Sequence, residues 1–510
     1  MRSSVLALLA GGTSVFAFAP FGLYPLALPA LAVLAWQLQR AARARDGFLL
    51  GLSWGLGAFL AGVSWLYVAL NRYGGMPMPL AALAIALFCA YLALYPALAG
   101  ALFVRLRTGG AVARALLFGA LWLLAEWLRG VVFTGFPWLA IGYSQTPPSP
   151  LAGFLPLVGV YGVGGLVAFL AALPAMLPWR GARAALPGVA TIALVLAGGA
   201  GLRLAQWTEA AGEPLSVALI QTNFEQSMKW SPEHFAEVLR GNAELVRDTV
   251  APLVVLPETT LPTLADRLPE GYLDLLRGFV REHGGDLVLG VFRSEGAASA
   301  TSDQAGTEGL RIYNAAISLG EGPMQTYAKQ HLVPFGEYSP PLFGWFYRLV
   351  DIPMSDQTRG ASDQPPMTLG GQRIALNICY EDLFGAELIR ALPQATLMLN
   401  ISNLAWYGDS LAQPQHLQIA RVRALETGRP MLRSTNTGMT AVVQPDGSVA
   451  AVLPEFERGV LRAEVRGYQG ITPYAQWGDR AALGAAGLVL AALLVRRRGE
   501  KEIGVGGQSE

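Results

Sequence analysis

The 510-residue chain is short of charge. Asp, Glu, Lys and Arg together make up 14% of it, where a soluble protein of this length carries nearer a quarter. Its net charge is +1 and no basic stripe stands out, which excludes the electrostatic footprint of a nucleic-acid partner. It has two cysteines, Cys89 in an apolar run and Cys379 far downstream, so no disulfide framework is implied. With four histidines and no paired Cys/His spacing, a zinc site has no ligand set. Neither a metal nor any other cofactor is expected.

What the chain has instead is apolar sequence, 53% of all residues, at a mean hydropathy of +0.39. The distribution is uneven. Residues 1–205 form a series of long apolar runs, 214–468 read as an ordinary soluble domain, and a last apolar run covers 480–495 before a polar tail, 496–510. A spanning helix needs roughly 20 apolar residues to cross about 30 Å of hydrocarbon. About eight segments qualify: 4–20, 21–39, 48–70, 79–103, 115–134, 151–178, 185–205 and 480–495. The reading is therefore seven transmembrane helices, a soluble domain, and a last helix. Positive charge gathers in alternate loops, at Arg40, Arg43 and Arg45, at Arg105, Arg107 and Arg114, at Arg180 and Arg183, and in the Arg496–Lys501 tail. The positive-inside rule then puts both termini in the cytoplasm and 214–468 on the other side. The start, "MRSSVLALLAGGTSVFAFAP", has the layout of a signal peptide, but Pro20 directly after Ala17-Phe18-Ala19 argues against cleavage. Glu126 and Arg129 stand inside an apolar stretch, where ionisable groups have a partner or a role. Two readings fit them: a helix-end pair that positions the following loop, or contact with a lipid headgroup.

From 214 onward strands alternate with helices. "LSVALIQTN", "LVVLPETT", "DLVLGVF", "IYNAAISLG", "RIALNICYE", "TLMLNIS" and "PMLRSTN" read as strands, and "TAVVQPDGSVAAVL" as a hairpin on Asp-Gly. A helix is expected over "SPEHFAEVLRGNAELVRDTV", with Ser231 as N-cap and Pro232 at its first position. The pattern predicts an α/β sandwich with mixed sheets.

Three residues of chemical interest lie where strands end: Glu258 after "LVVLP", Lys329 in "YAKQHLVPFGEY", and Cys379 after "ALNI". A thiolate is a strong nucleophile, but a free cysteine is only a few per cent ionised at neutral pH. A glutamate near 4.3 is a poor base for a thiol near 8.5, the gap being roughly 6 kcal/mol. Burial of the glutamate and an ammonium beside the cysteine would close it, and the same ammonium could stabilise an oxyanion. Each residue alone also has a plainer reading: a packed thiol, a solvated lysine, a helix-capping acid.

"LVVLPETTLP", "YAKQHLVPFGEYSP" and "LNICYEDLFG" together resemble the three signatures of the nitrilase superfamily. With "QTNFEQSMKW", "GFPWLAIGYSQ", "NISNLAWYGDSLAQPQHLQIARVRALETGRP" and "STNTGMTAVVQPDG", the chain resembles one membrane-integrated branch of it, the apolipoprotein N-acyltransferases. The resemblance implies a polytopic α-helical membrane domain carrying an α/β nitrilase-like αββα sandwich. It implies Cys379 as nucleophile, Glu258 as general base and Lys329 as oxyanion-stabilising cation, with Glu337, Tyr380 and Glu381 in support. Trp230 and Asn314 match cleft positions. The reaction implied passes an acyl chain from a phospholipid to Cys379 as a thioester, then to the N-terminal α-amine of a diacylglyceryl apolipoprotein. The setting implied is the bacterial inner membrane, with a monomeric enzyme and its catalytic domain in the periplasm.

Drawing a chain of about 16 carbons into water costs about 13 kcal/mol at roughly 0.8 kcal/mol per CH₂. An enzyme working at bilayer level avoids that cost. "SPPLFGWFYRLVDIPM" suits such a setting, with Phe343, Trp345, Phe346 and Tyr347 able to dip into the interface or to cover the cleft as a flap.

Overall fold

A computed structural model of the chain describes residues 2–177, 182–229, 231–296, 310–340 and 356–506. The chain divides into two compact units. One comprises Met1–Leu66, Ala82–Trp207 and Thr472–Glu510, the other Tyr67–Ala81 and Thr208–Ile471.

The first unit is helical, and each of the eight apolar segments contains helix. Among the described residues, three helices are long and apolar enough to cross a membrane: Met78–Leu106, Ala111–Thr134 and Pro150–Met176. A fourth candidate is the pair Ala44–Gly62 and Leu66–Tyr73, bent by 62°. Arg2–Ala17 and Leu186–Leu202 are shorter. Close helix approach rests on small residues, as expected where lipid removes the hydrophobic drive between helices. Gly47, Gly51 and Gly55 recur every fourth residue along one helix face, and a Cβ at Gly51 would lie 2.2 Å from the Pro96 carbonyl oxygen. Arg129 donates to the Trp138 carbonyl at 2.7 Å, and Glu126 accepts from the Ile141 amide at 2.7 Å. Of the two readings of this pair, the loop-positioning one describes these bonds.

The second unit is built on two sheets. The first contains β1 (Thr208–Gln221), β2 (Leu253–Val255), β3 (Leu261–Leu264), β4 (Asp286–Glu295), β5 (Arg311–Leu319), β6 (Thr326–Ala328) and β13 (Gly459–Gly470), in the order β13-β1-β2-β4-β5-β6 with β3 beside β4. The second contains β7 (Met367–Leu369), β8 (Gln372–Ile378), β9 (Leu397–Ser402), β10 (Met431–Thr435), β11 (Ala441–Val443) and β12 (Val449–Val452), in the order β12-β11-β10-β9-β8-β7. The central pairs β1–β2, β2–β4, β8–β9 and β9–β10 are parallel. Parallel strands buried on both faces read as continuous apolar runs, and that is how these strands read.

Alternation along the strands sorts residues into layers. Val217, Leu219, Leu253 and Val255 meet Ile374, Leu376, Ile378, Leu399 and Leu432 in the core between the sheets. Their neighbours Ala218, Ile220, Val254 and Leu256 face outward onto Leu239, Val246, Leu276 and Val280 of the helices Phe235–Arg247 and Tyr272–Arg281. On the other side, Ala375, Met398 and Met431 pack on Leu417, Ala420 and Ala424 of the helix Ala412–Thr427. The layers are α, β, β, α. One boundary differs from expectation: the helix predicted from Pro232 begins at Phe235. The four residues before it form a turn closed by His234 N donating to Ser231 O at 3.1 Å, which uses the Ser-Pro signal outside the helix.

Candidate active site

The sandwich brings Glu258, Lys329 and Cys379 into one buried cluster, each from the segment that follows a strand. Glu258 follows β2 in a loop that lies directly on β4: a Cβ at Gly290 would sit 2.5 Å from the Thr259 amide and 2.8 Å from the Glu258 Cα. Only glycine on β4 leaves room for that backbone. Lys329 follows β6, its amide donating to the Asn314 carbonyl on β5 at 2.8 Å. Cys379 follows β8 at φ +54°, a left-handed conformation that costs a non-glycine residue roughly 1–2 kcal/mol.

The polar contacts are dense. Lys329 Nζ donates to Glu258 Oε1 at 3.2 Å and to Glu337 Oε1 at 2.7 Å. Asn314 Nδ2 donates to the same two oxygens at 2.8 and 3.3 Å. Glu258 Oε2 accepts from the Asn403 amide at 2.8 Å, and Glu337 Oε2 from the Val333 amide at 2.8 Å. Asn314 is thus placed between the two carboxylates, holding both.

Electrostatics follow from burial and these neighbours. Burial disfavours the Lys329 ammonium, but Glu258 and Glu337 outweigh it and hold its pKa well above the usual lysine value. Burial, then the charge of Glu258, pushes the Cys379 thiol well above its ordinary value, with Glu337 and Asp382 adding to this and Lys329 opposing. Sequence reasoning expected the ammonium to lower the thiol. Lys329 does act in that direction, but desolvation and several carboxylates outweigh one cation, so the net shift is upward. At rest the thiol carries its proton.

Glu381 is a local organiser. Its Oε2 accepts from the Ile378 amide (2.6 Å) and Tyr327 hydroxyl (3.0 Å), its Oε1 from the Gln330 and His331 amides (2.7 and 3.1 Å). It thereby ties the Cys379 turn to the Lys329 loop. Burial raises its pKa to about 7 against those backbone bonds. Tyr380 packs edge-on against Phe384, ring centres 5.2 Å apart. Trp230, Phe343, Trp345, Phe346 and Tyr347 lie outside the described residues.

Sequence reasoning missed several side chains. Asn400, on β9, donates to the Cys379 carbonyl at 3.1 Å and to Asn377 Oδ1 at 2.6 Å, bracing the left-handed turn. Asp382 engages two partners: Oδ1 meets His416 Nε2 at 2.7 Å, and Oδ2 accepts from Arg433 Nη1 at 2.7 Å. Arg433 Nη2 lies 3.0 Å from His416 Nδ1. The three are almost completely buried and come from three elements. Their signal lay in the quoted stretches "PQHLQIARV" and "MLRSTN", whose polar residues interrupt otherwise apolar patterns. A short turn taken from the helical stretch of sequence, Ala69–Tyr73, sits in this same unit, with the Tyr73 ring 5.9 Å from Trp406.

The chain matches the model of the apolipoprotein N-acyltransferase N-terminal domain over residues 10–173 and that of carbon-nitrogen hydrolases over 216–471. The apolipoprotein N-acyltransferase of Nitrosomonas europaea is 45% identical over 94% of this chain and 95% of its own. That of Chromobacterium violaceum is 46% identical over 98% and 96%, and that of Ralstonia nicotianae 46% over 97% and 93%. With both halves matched in order and relatives similar along nearly their whole length, the chain belongs to the apolipoprotein N-acyltransferase family.

Proposed function

We propose that this protein transfers an acyl chain from a membrane phospholipid, through a thioester on Cys379, to the N-terminal α-amine of a diacylglyceryl-cysteine apolipoprotein. The observation that carries the reading is the convergence of Glu258, Lys329 and Glu337 on the buried Cys379 thiol.

In the first step Cys379 Sγ attacks an ester carbonyl of the phospholipid while Glu258 takes the thiol proton. Because the thiol is protonated at rest, proton transfer accompanies attack and does not precede it. Lys329 has two N–H groups committed to Glu258 and Glu337 and no third partner among the described residues, which leaves one N–H for the oxyanion. As the C–O bond breaks, Glu258 returns the proton to the departing alkoxide, giving a lysophospholipid and the thioester. In the second step the α-amine attacks the thioester, Glu258 accepts the amine proton, the C–S bond breaks, and the sulfur recovers a proton. The products are an amide and the free thiol. The enzyme is ping-pong, and Glu337 and Asn314 are positioning residues that hold the lysine and the base in register.

The same reading takes about eight crossings of the inner membrane, with 1–205 and 480–495 in the bilayer and the 496–510 tail in the cytoplasm. Both termini are then cytoplasmic, and residues 214–468 form a periplasmic catalytic domain of a monomeric enzyme. The charge of the loops supports that orientation.

The test is mass spectrometry of the wild type incubated with phospholipid alone, which should show one acyl adduct, on Cys379. Adding a diacylated lipopeptide should discharge it as an N-acyl product. An adduct elsewhere refutes the thioester. Free fatty acid as the sole product would make the protein a hydrolase.

A further inference from the structure

A second lysine lies beside the base. Lys229 closes the four-residue helix Gln226–Lys229 and is 2% exposed, yet its Nζ has no hydrogen-bond partner among the described residues. One turn earlier on the same helix, Gln226 is equally buried. Its Oε1 accepts from Asn403 Nδ2 at 2.9 Å, while its Nε2 has no acceptor among the described residues. Asn403 is the residue whose amide holds Glu258 Oε2, so the helix is fastened to the base through a single side chain. Asn436 secures the approach to the helix: its Oδ1 accepts from Thr222 Oγ1 and the Phe224 amide, and its Nδ2 donates to the Phe224 carbonyl and Asn403 Oδ1.

A buried ammonium and a buried amide N–H without acceptors are costly, and here they occur together, one helical turn apart, on a rigidly held element. Burial draws the Lys229 pKa down to about 7, and among the described residues the charge that counters it is that of Glu258. The charges acting most on the thiol are Glu258, Lys329, Glu337 and Asp382. Lys229 is not among those charges, and its Nζ donors are uncommitted among the described residues.

We propose that Lys229 and Gln226 form a subsite for an anionic phosphate oxygen, and that its occupant is the phosphodiester of the acyl donor. This rests on the phospholipid reading above. A lysine whose N–H groups have no partner among the described residues supplies the charge once an anion binds, and the amide a directed second donor, the combination that a phosphate oxygen satisfies and a neutral ester does not. The pair would seat the headgroup end of the donor while its ester lies at Cys379.

The probe is sn-glycerol 3-phosphate, set against acylation of Cys379 by a neutral ester, 4-nitrophenyl butyrate, and read as the burst of 4-nitrophenolate. Each variant is compared with its own uninhibited rate. Glycerophosphate should slow the wild-type burst and glycerol should not. K229M should weaken this inhibition about tenfold to hundredfold, the usual range for a lost charge-assisted hydrogen bond. K229R should restore most of it, and Q226L should weaken it less than K229M. Equal inhibition of wild type and K229M, or none in the wild type, overturns the subsite. Inorganic phosphate binding more tightly than its glycerol ester would assign the site to free phosphate and overturn the donor assignment. If glycerophosphate acts through Lys229 while phospholipid fails to acylate Cys379, the phospholipid reading falls and the anion subsite stands. If phospholipid acylates Cys379 and glycerophosphate does nothing, the converse holds.

Discussion

Asp382→Asn separates two accounts of one residue. As a helix-start acid, Asp382 would be worth about 0.3–1 kcal/mol through the helix dipole. The structure gives it a larger task. Both its oxygens are engaged at 2.7 Å, by His416 and Arg433, and all three side chains are no more than 1% exposed. With His416 donating from Nε2, its Nδ1 is left to accept from Arg433, so each bond fixes the next. An asparagine has one oxygen where the network needs two, and its amide would face a donor. Worse, it removes the carboxylate that balances a buried guanidinium, whose pKa burial already lowers against the pull of Asp382. Breaking a buried pair from one side costs about 3–5 kcal/mol.

At about 2–4 °C per kcal/mol for a domain of this size, the unfolding midpoint of D382N in detergent should fall by roughly 6–20 °C. The double variant D382N/R433M removes the orphaned charge, so it should recover at least about 2 kcal/mol relative to additivity. Acidification gives an independent check. Burial, with Arg433 adding, lowers the His416 pKa against Asp382. An unfolded histidine binds a proton near 6.5 while the folded one resists, so stability is intact above that pH and falls as pH drops toward the folded value. A D382N shift below about 1 kcal/mol, or additive variants, would refute the network account.

Other outcomes follow from the same geometry. The raised Cys379 thiol should react with iodoacetamide more slowly than a free cysteine at pH 8, its rate still climbing above the ordinary thiol range. Glu337→Gln removes one carboxylate that raises the thiol, so it should move this alkylation profile to lower pH while acyl transfer falls about 10–100-fold through the freed lysine. Glu381→Gln leaves an amide N–H₂ facing two of the four donors now satisfied, and should cost about 2–4 kcal/mol of stability, read as a lower unfolding midpoint. Gly290→Ala should lower kcat by at least about tenfold at near-normal expression, since its Cβ can be housed only by moving the Glu258 loop.

The parts of this fold legible in the sequence are those set by local pattern. Apolar runs marked β2, β4, β8 and β9 because these strands are buried on both faces, and Asp446-Gly447 marked the turn between β11 and β12. The buried cluster of Glu258, Lys329 and Cys379 was legible as three motifs, each following a strand. Illegible were groups whose meaning arises only on contact. His416 and Arg433 lie 34 and 51 residues from Asp382, and Asn403 lies 145 from Glu258; no periodicity links them. The direction of the thiol shift was misread for the same reason. Residue types supplied one cation and one acid, while the sign depends on burial and on Glu337 and Asp382 together.

That sign shapes the proposed mechanism. Burial, with two carboxylates around one committed ammonium, holds the sulfur as a thiol, which is a weak nucleophile. Attack requires a group that offsets the excess negative charge and a carbonyl that draws on the third N–H of Lys329. An ester oxygen at that N–H pulls positive charge toward the reacting centre as the oxyanion forms, which favours loss of the thiol proton to Glu258 in the same event. On the proposed mechanism, reactivity is coupled to occupancy, and a buried thiol beside a base would avoid indiscriminate acylation without a separate switch. The proposed subsite extends the logic: a donor whose phosphate engaged Lys229 and Gln226 would be held with its ester beside the base that Asn403 links to that helix.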